Sequence, residues 1–196
     1  MGMDVHGINP KHNRSINDFP TMKKFDCMGF SEKWKIFDKD KKLSVKYWKE
    51  KDEWEKSNPG VYFRNNCWWW RPLWDFCKLT SPDLISDKLW NSGHHNDGAG
   101  LDAEEAKLLG NRLMEWISDG RAIEYQAEYM QHIDDIPNDT CGVCNGNNRG
   151  NNKKKDCKRC DSTGETESFD KSYPFDVDNV EEFALFCIES GGFQIC

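Results

Sequence analysis

A chain of 196 residues with 37% apolar content and a net charge of −7 can bury one core, or one core plus a small metal module. The acidic total excludes a general nucleic-acid coat, and no apolar run nears the ~20 residues that a membrane helix needs. No signal-peptide-like apolar segment opens the chain, so the expected setting is soluble and cytoplasmic. Nine Trp and eleven Phe offset the low apolar content, because each ring system buries about 150–250 Å². The charge is uneven. Residues 141–164 carry six Lys or Arg against two Asp, +4, and residues 165–196 carry eight acids against Lys171, −7.

Met3 and Val5 alternate with Gly2, Asp4 and His6, the pattern of a half-buried strand closed by Gly7, Asn9 and Pro10. Residues 11–30 are polar, with Pro20 and Gly29 as breakers, and are expected to be irregular. Residues 31–57 mix nine lysines and seven acids with Trp34, Phe37, Tyr47, Trp48 and Trp54. They are expected to form a charged, aromatic surface insertion, either a strand-turn-strand or short helices. Asp38-Lys-Asp-Lys-Lys lacks the glycine and the bidentate Glu of a calcium loop. A strand is expected from Val61, followed by a helix opening at Pro72. The cluster Trp68-Trp69-Trp70-Arg71-Pro72-Leu73-Trp74 is expected in the core, with an exposed aromatic platform as the alternative.

Ser81-Pro82 has the chemistry of an N-cap and first turn, and a short helix is expected to run to Trp90. Asp102 and Glu105 form a capping box for the clearest helix, with Ala106, Leu109, Leu113, Trp116 and Ile117 on its apolar stripe. Ile123, Ala127, Met130 and Ile133 predict a further helix. Residues 165–175 are expected to be extended. Asp178 and Glu181 predict a second box, for a helix burying Val180, Phe183, Ala184 and Cys187. Phe193 and Ile195 end the chain as a strand that can pair with the first. The fold class predicted is α+β: a small sheet using both termini, packed helices, and a protruding loop held by four cysteines.

That loop has the most specific chemistry. Cys141-Gly-Val-Cys144 and Cys157-Lys-Arg-Cys160 have the two-plus-two thiol spacing of a tetrahedral Zn²⁺ site. Between them lie twelve polar residues with nothing to build a core. One structural zinc ion is therefore expected, in a 141–164 insertion within a domain of residues 1–140 and 165–196. Four thiolates on Zn²⁺ carry −2, which the +4 of the loop offsets. Arg149, Lys153, Lys154, Lys155, Lys158 and Arg159 are the candidate partner-binding residues. The other five cysteines (27, 67, 77, 187 and 196) are expected to be small buried hydrophobes.

Cys141-x-x-Cys144-x-Gly146 and Cys157-x-x-Cys160-x-x-x-Gly164 resemble two of the four Cys-x-x-Cys-x-Gly-x-Gly repeats in the zinc module of DnaJ-type chaperones. Asn148 and Ser162 stand where each repeat has its other glycine. The resemblance covers about 24 residues and implies one zinc knuckle pair. Separately, Met1-Gly-Met-Asp-Val, the segment from Tyr62 to Leu73, Asn96-Asp-Gly-Ala-Gly-Leu-Asp and the terminal Gly-Gly-Phe-Gln-Ile are similar to a family of small uncharacterised bacterial and phage proteins. That similarity implies a prokaryotic or viral setting and no particular activity.

One further cluster could do chemistry. His94, His95 and Asp97 sit in a glycine-rich loop before a helix and have metal-ligand side chains, although adjacent histidines in an extended segment point apart. The alternative is a polar turn capping the helix. The leading expectation is a non-enzymatic zinc protein that displays a basic loop to a protein partner, such as a host factor. Nucleic-acid binding through the basic loop and exposed tryptophans is the second, and a metal enzyme using His94, His95 and Asp97 the third.

Overall fold

The computed structural model describes residues 2–146 and 157–196. Its architecture is α+β, as the patterning predicts. Strand β1 (Gly2–Gly7) pairs with β2 (Tyr62–Asn66) on one side and with β6 (Phe193–Ile195) on the other, both antiparallel. A short strand β3 (Ala99–Leu101) pairs with the free side of β6, giving the order β2-β1-β6-β3. Val5 faces Phe63 across one ladder and Ile195 across the other, and all three are buried.

Helix α8 (Val177–Glu189) lies on this sheet. Phe183 and Phe186 pack against Phe63 and Phe193 at centroid distances of 5.0–6.0 Å. Helix α6 (Ala103–Ser118) opens on the predicted capping box, with Asp102 accepting from the backbone of Glu104 and Glu105 while Glu105 reaches back to the Asp102 N–H. Its crossing with α8 is close because Gly110 sits at the contact. A Cβ added there would lie 2.7 Å from the Ala184 carbonyl oxygen and from a side-chain carbon of Ile188.

The tryptophan cluster divides. Helix α4 spans Cys67–Thr80, beginning five residues before the predicted start at Pro72. Asn66 caps it by accepting from the N–H groups of Trp68 and Trp69. Pro72 lies inside the helix and leaves the Trp68 carbonyl without an i+4 donor. Trp70 and Trp74 are fully buried and stacked at 5.5 Å. Their indole N–H groups donate to the carbonyls of Gly93 and Trp90, as buried indoles require. Trp68 is only half-buried, in contact with Phe169 and Tyr173.

Several local expectations are corrected. Residues 11–30 are not irregular throughout, since they hold a 3-10 turn at Ile16–Asp18 and helix α1 (Pro20–Phe25). Of the two forms expected for residues 31–57 the helical one is found, α2 (Phe30–Lys39) and α3 (Lys41–Ser57), and Asp40 caps α3, in keeping with the absence of a calcium loop. Ser86, not Ser81, caps helix α5 (Asp87–Ser92). Helix α7 (Arg121–Asp135) buries Ala122 and Ile133 and turns Tyr125 and Tyr129 inward, while Ile123 is exposed. Asp176, not the Asp178–Glu181 pair, caps α8. Residues 165–175 contain a two-residue strand and then a 3-10 turn at Phe169–Ser172. Of the five remaining cysteines, Cys77 and Cys187 are buried and Cys67 half-buried, but Cys27 and Cys196 are exposed.

Helices α1 to α3 form an arm with its own buried cluster of Phe19, Met22, Phe25, Phe37 and Tyr47. Two polar side chains lock it. Asn58, fully buried, accepts from the N–H of Asn13 and of Arg14 and donates to the carbonyls of Arg14 and Trp54. Glu50 on α3 accepts from the N–H groups of Thr21 and Met22 at 2.7 and 2.9 Å. Since α1 has no cap of its own, Glu50 supplies the missing acceptor from another helix.

Burial pushes the Glu50 carboxyl up, but the hydrogen bonds from Thr21 and Met22, with Lys46 nearby, outweigh it and hold the pKa below its ordinary 4.5. A depressed folded-state value means the contribution is complete above pH 4.5 and is lost as pH falls through the folded value. Glu50→Ala is expected to destabilise the protein by about 1 kcal/mol at pH 7, the usual cost of a lost cap acceptor. The gap from the native chain should narrow as pH falls below 4.5, which denaturation across pH measures. Gly110→Val is expected to cost about 1–3 kcal/mol, because the α6–α8 contact must open. Thermal unfolding followed by circular dichroism checks it.

Candidate metal centre

Helix α7 ends at Asp135, and strand β4 (Asp139–Thr140) leads directly into Cys141. The chain returns through Cys157 and Cys160 to strand β5 (Glu165–Thr166), which pairs antiparallel with β4. The four sulfurs lie within 4.8 Å of one another, with Cys141 Sγ 3.8 Å from Cys157 Sγ and Cys144 Sγ 3.7 Å from Cys160 Sγ. Four sulfurs about 2.3 Å from a central zinc at tetrahedral angles stand about 3.8 Å apart. The spacing therefore fits a metal ion, and the soft, thiol-only donor set fits zinc. All four cysteines are buried and form a cluster separate from the main core.

The two halves repeat one backbone solution. After Cys144, Asn145 and Gly146 both take left-handed φ, 50° and 71°. After Cys160, Asp161 and Ser162 do the same, at 46° and 65°. Asn and Asp tolerate this conformation and Gly adopts it freely, whereas Ser162 holds it at a steric cost. Gly164 (φ 85°) lies against Gly146, so a Cβ there would come within 3.3 Å of the Gly146 carbonyl oxygen. The Cys141 N–H donates to the Gly164 carbonyl, and the Gly164 N–H reaches Cys160 Sγ at 3.3 Å.

The cysteines differ electrically. Backbone N–H groups of Cys144 and Val143 aimed at the Cys141 sulfur bring its pKa down to about 6. Burial, followed by the Cys141 thiol beside it, pushes Cys144 up to about 11. The backbone N–H groups thus favour the thiolate at Cys141, and a cation would be needed to stabilise four thiolates together. Lys158 and Arg159 are exposed between the second cysteine pair. Arg149, Lys153, Lys154 and Lys155 lie outside the described residues.

The histidine loop is built differently. His94 packs its ring edge-on to Trp90 at 4.9 Å, with Nε2 3.8 Å from an Asp75 carboxylate that also accepts the Trp90 N–H. Burial lowers its pKa, so the ring is neutral at pH 7. His95 and Asp97 are exposed, and Asp97 accepts from the N–H of Ala99, a turn-forming contact. The three side chains do not converge. Among the described residues, the four cysteines are the group of His, Cys, Asp or Glu side chains placed to hold a metal.

Sequence reasoning missed a cleft of about 490 Å³ beside the module. Arg71 and Asp75 of α4, Tyr129 and His132 of α7, and Asp170 and Tyr173 line it. Tyr129 donates to the Tyr173 carbonyl, Arg71 to the Tyr173 hydroxyl, and Lys171 to the Asp134 carbonyl. These bonds tie the segment that follows the cysteine hairpin, at Lys171 and Tyr173, to α4 and α7. No spacing rule signals them, because the three elements meet only in the fold. Compared with protein-family models, with curated proteins and with solved structures, the chain matches none.

Because the cysteines form a separate cluster, the metal is expected to hold its own hairpin and not the main core. One zinc per chain is expected by elemental analysis, with none in Cys141→Ser. Chelation should speed amide exchange within 139–146 and 157–166 and leave α6 and α8 protected.

Proposed function

We propose that this is a non-enzymatic zinc protein whose single structural ion staples a basic loop for display to a macromolecular partner. The observation that supports this is the thiol set: four buried cysteines supply the four ligands of a tetrahedral ion, which would leave no position for water or substrate. A catalytic site would keep one position open. The proposal extends the resemblance to half of a DnaJ-type zinc module, in which two knuckles share one ion.

The partner chemistry follows from charge. The four-thiolate zinc carries −2 and the module's side chains +4, which leaves a cationic loop on an acidic protein. An acidic protein surface complements it, and Lys158 and Arg159, exposed between Cys157 and Cys160, would make contact. The similarity to small bacterial and phage proteins makes a host factor the fitting partner, in a cytoplasmic setting.

Affinity purification from bacterial lysate with zinc-loaded protein tests this, followed by titration of the purified captured protein. Replacing Lys153, Lys154 and Lys155 by Ala is expected to keep the zinc and weaken the complex at least tenfold. Undiminished binding by the triple variant would overturn the proposal. So would a second metal equivalent that disappears with His94→Ala.

A further inference from the structure

The helical arm has a surface that the metal centre and its loop do not use. On α2, Phe30 and Trp34 lie one turn apart with ring centroids at 5.8 Å and planes only 21° from parallel. They are 73% and 58% exposed, so the rings stack on each other and leave outer faces open. Trp48 on α3 is also exposed, rooted in the arm by edge-on contacts with Tyr47 and Phe37. Such rings are not scattered surface apolars. They share one short helical hairpin and are already aligned for a third flat ring.

The charge around them is equally specific. Residues 20–49 hold nine lysines against four acids, +5; the last two turns of α3, residues 50–57, carry −2, so the arm from Pro20 to Ser57 is +3 on a chain whose remainder is −10. Two of those acids are engaged within the arm: Asp38 pairs with Lys41 at 2.8 Å, and Asp40 caps α3. Lys23, Lys24, Lys35, Lys39 and Lys42 are exposed and make no ion pair among the described residues. A ligand that suits this surface offers flat π faces and closely spaced negative charges. A single-stranded nucleic acid offers both, whereas a duplex hides its base faces and an acidic peptide brings charge without rings.

We propose that α2 and α3 form a binding platform for single-stranded nucleic acid, with bases stacking on Phe30 and Trp34 and phosphates held by the surrounding lysines. Stacking and phosphate contacts read neither base identity nor sugar, so the platform has no sequence preference. It uses none of the residues assigned to the metal-stapled loop. The two proposals therefore stand or fall separately.

Fluorescence anisotropy of a short labelled oligothymidylate with the full-length, zinc-loaded protein tests the inference. Saturable binding is expected at about 50 mM salt, with a log–log salt slope of about −0.7 per phosphate neutralised. The double variant Phe30→Ala/Trp34→Ala, checked for an unchanged melting curve, is expected to bind at least tenfold more weakly. The Lys153, Lys154 and Lys155 to Ala variant should bind as the native chain does. Absence of binding by the native protein would overturn the proposal, as would equal affinity of the double variant or equal competition by duplex. Loss of binding in the loop variant alone would move the site to the metal module. A dimer of the native chain that the double variant dissociates, with no oligonucleotide bound, would instead assign the patch to a second copy.

Discussion

Val5 lies between Phe63 and Ile195, on the central strand of the sheet, and this buried three-strand register closes the fold. It fixes residues near both ends of the chain side by side. The segments between them, arm and cysteine hairpin included, therefore leave from and return to the same sheet. The packing of α8 depends on the same register, because Phe183 and Phe186 sit on side chains from strands that are distant in sequence. A one-residue slip of β6 would turn Phe193 and Ile195 to solvent and expose Gln194 to the core. The close α6–α8 crossing at Gly110 then sets the second layer.

What could be read in the sequence was what short-range rules determine. The Asp102–Glu105 box lies within one turn, so four residues specify it. The Cys-x-x-Cys spacing likewise predicts a shared ion without knowledge of the fold, since each pair is one turn of chain. The alternating Met3, Val5 and Phe193, Ile195 gave both terminal strands. That the two could pair was open to the sequence, and their pairing is found.

What could not be read was set by partners far away in sequence. On α3, Leu43, Tyr47, Glu50 and Trp54 recur at helical spacing, but the acid in the third place breaks the apolar stripe. Glu50 faces inward because α1 lacks a cap, a fact that 29 residues separate from it. On α7 two stripes compete. The tyrosine stripe wins because Tyr125 and Tyr129 meet Phe175 and the Tyr129 hydroxyl finds the Tyr173 carbonyl. At Pro72 the rule that proline opens a helix was overridden by Asn66, a stronger cap placed earlier.

The metal centre follows a different economy from the rest of the molecule. Elsewhere, order comes from aromatic burial, which constrains which residues can occupy each segment. In the hairpin a four-cysteine cluster able to hold a metal replaces that burial, so only the cysteines and the left-handed positions after them are constrained. Ser162 shows how tight the second constraint is: it takes a glycine's conformation where the motif has glycine. The residues between the pairs are then released from core-building. Their composition answers to charge instead, first to the −2 of the thiolate site and then to whatever meets the surplus. A closed ion that orders its own hairpin can anchor a charged loop at little risk to the core, because the thiol cluster and the aromatic core are separate.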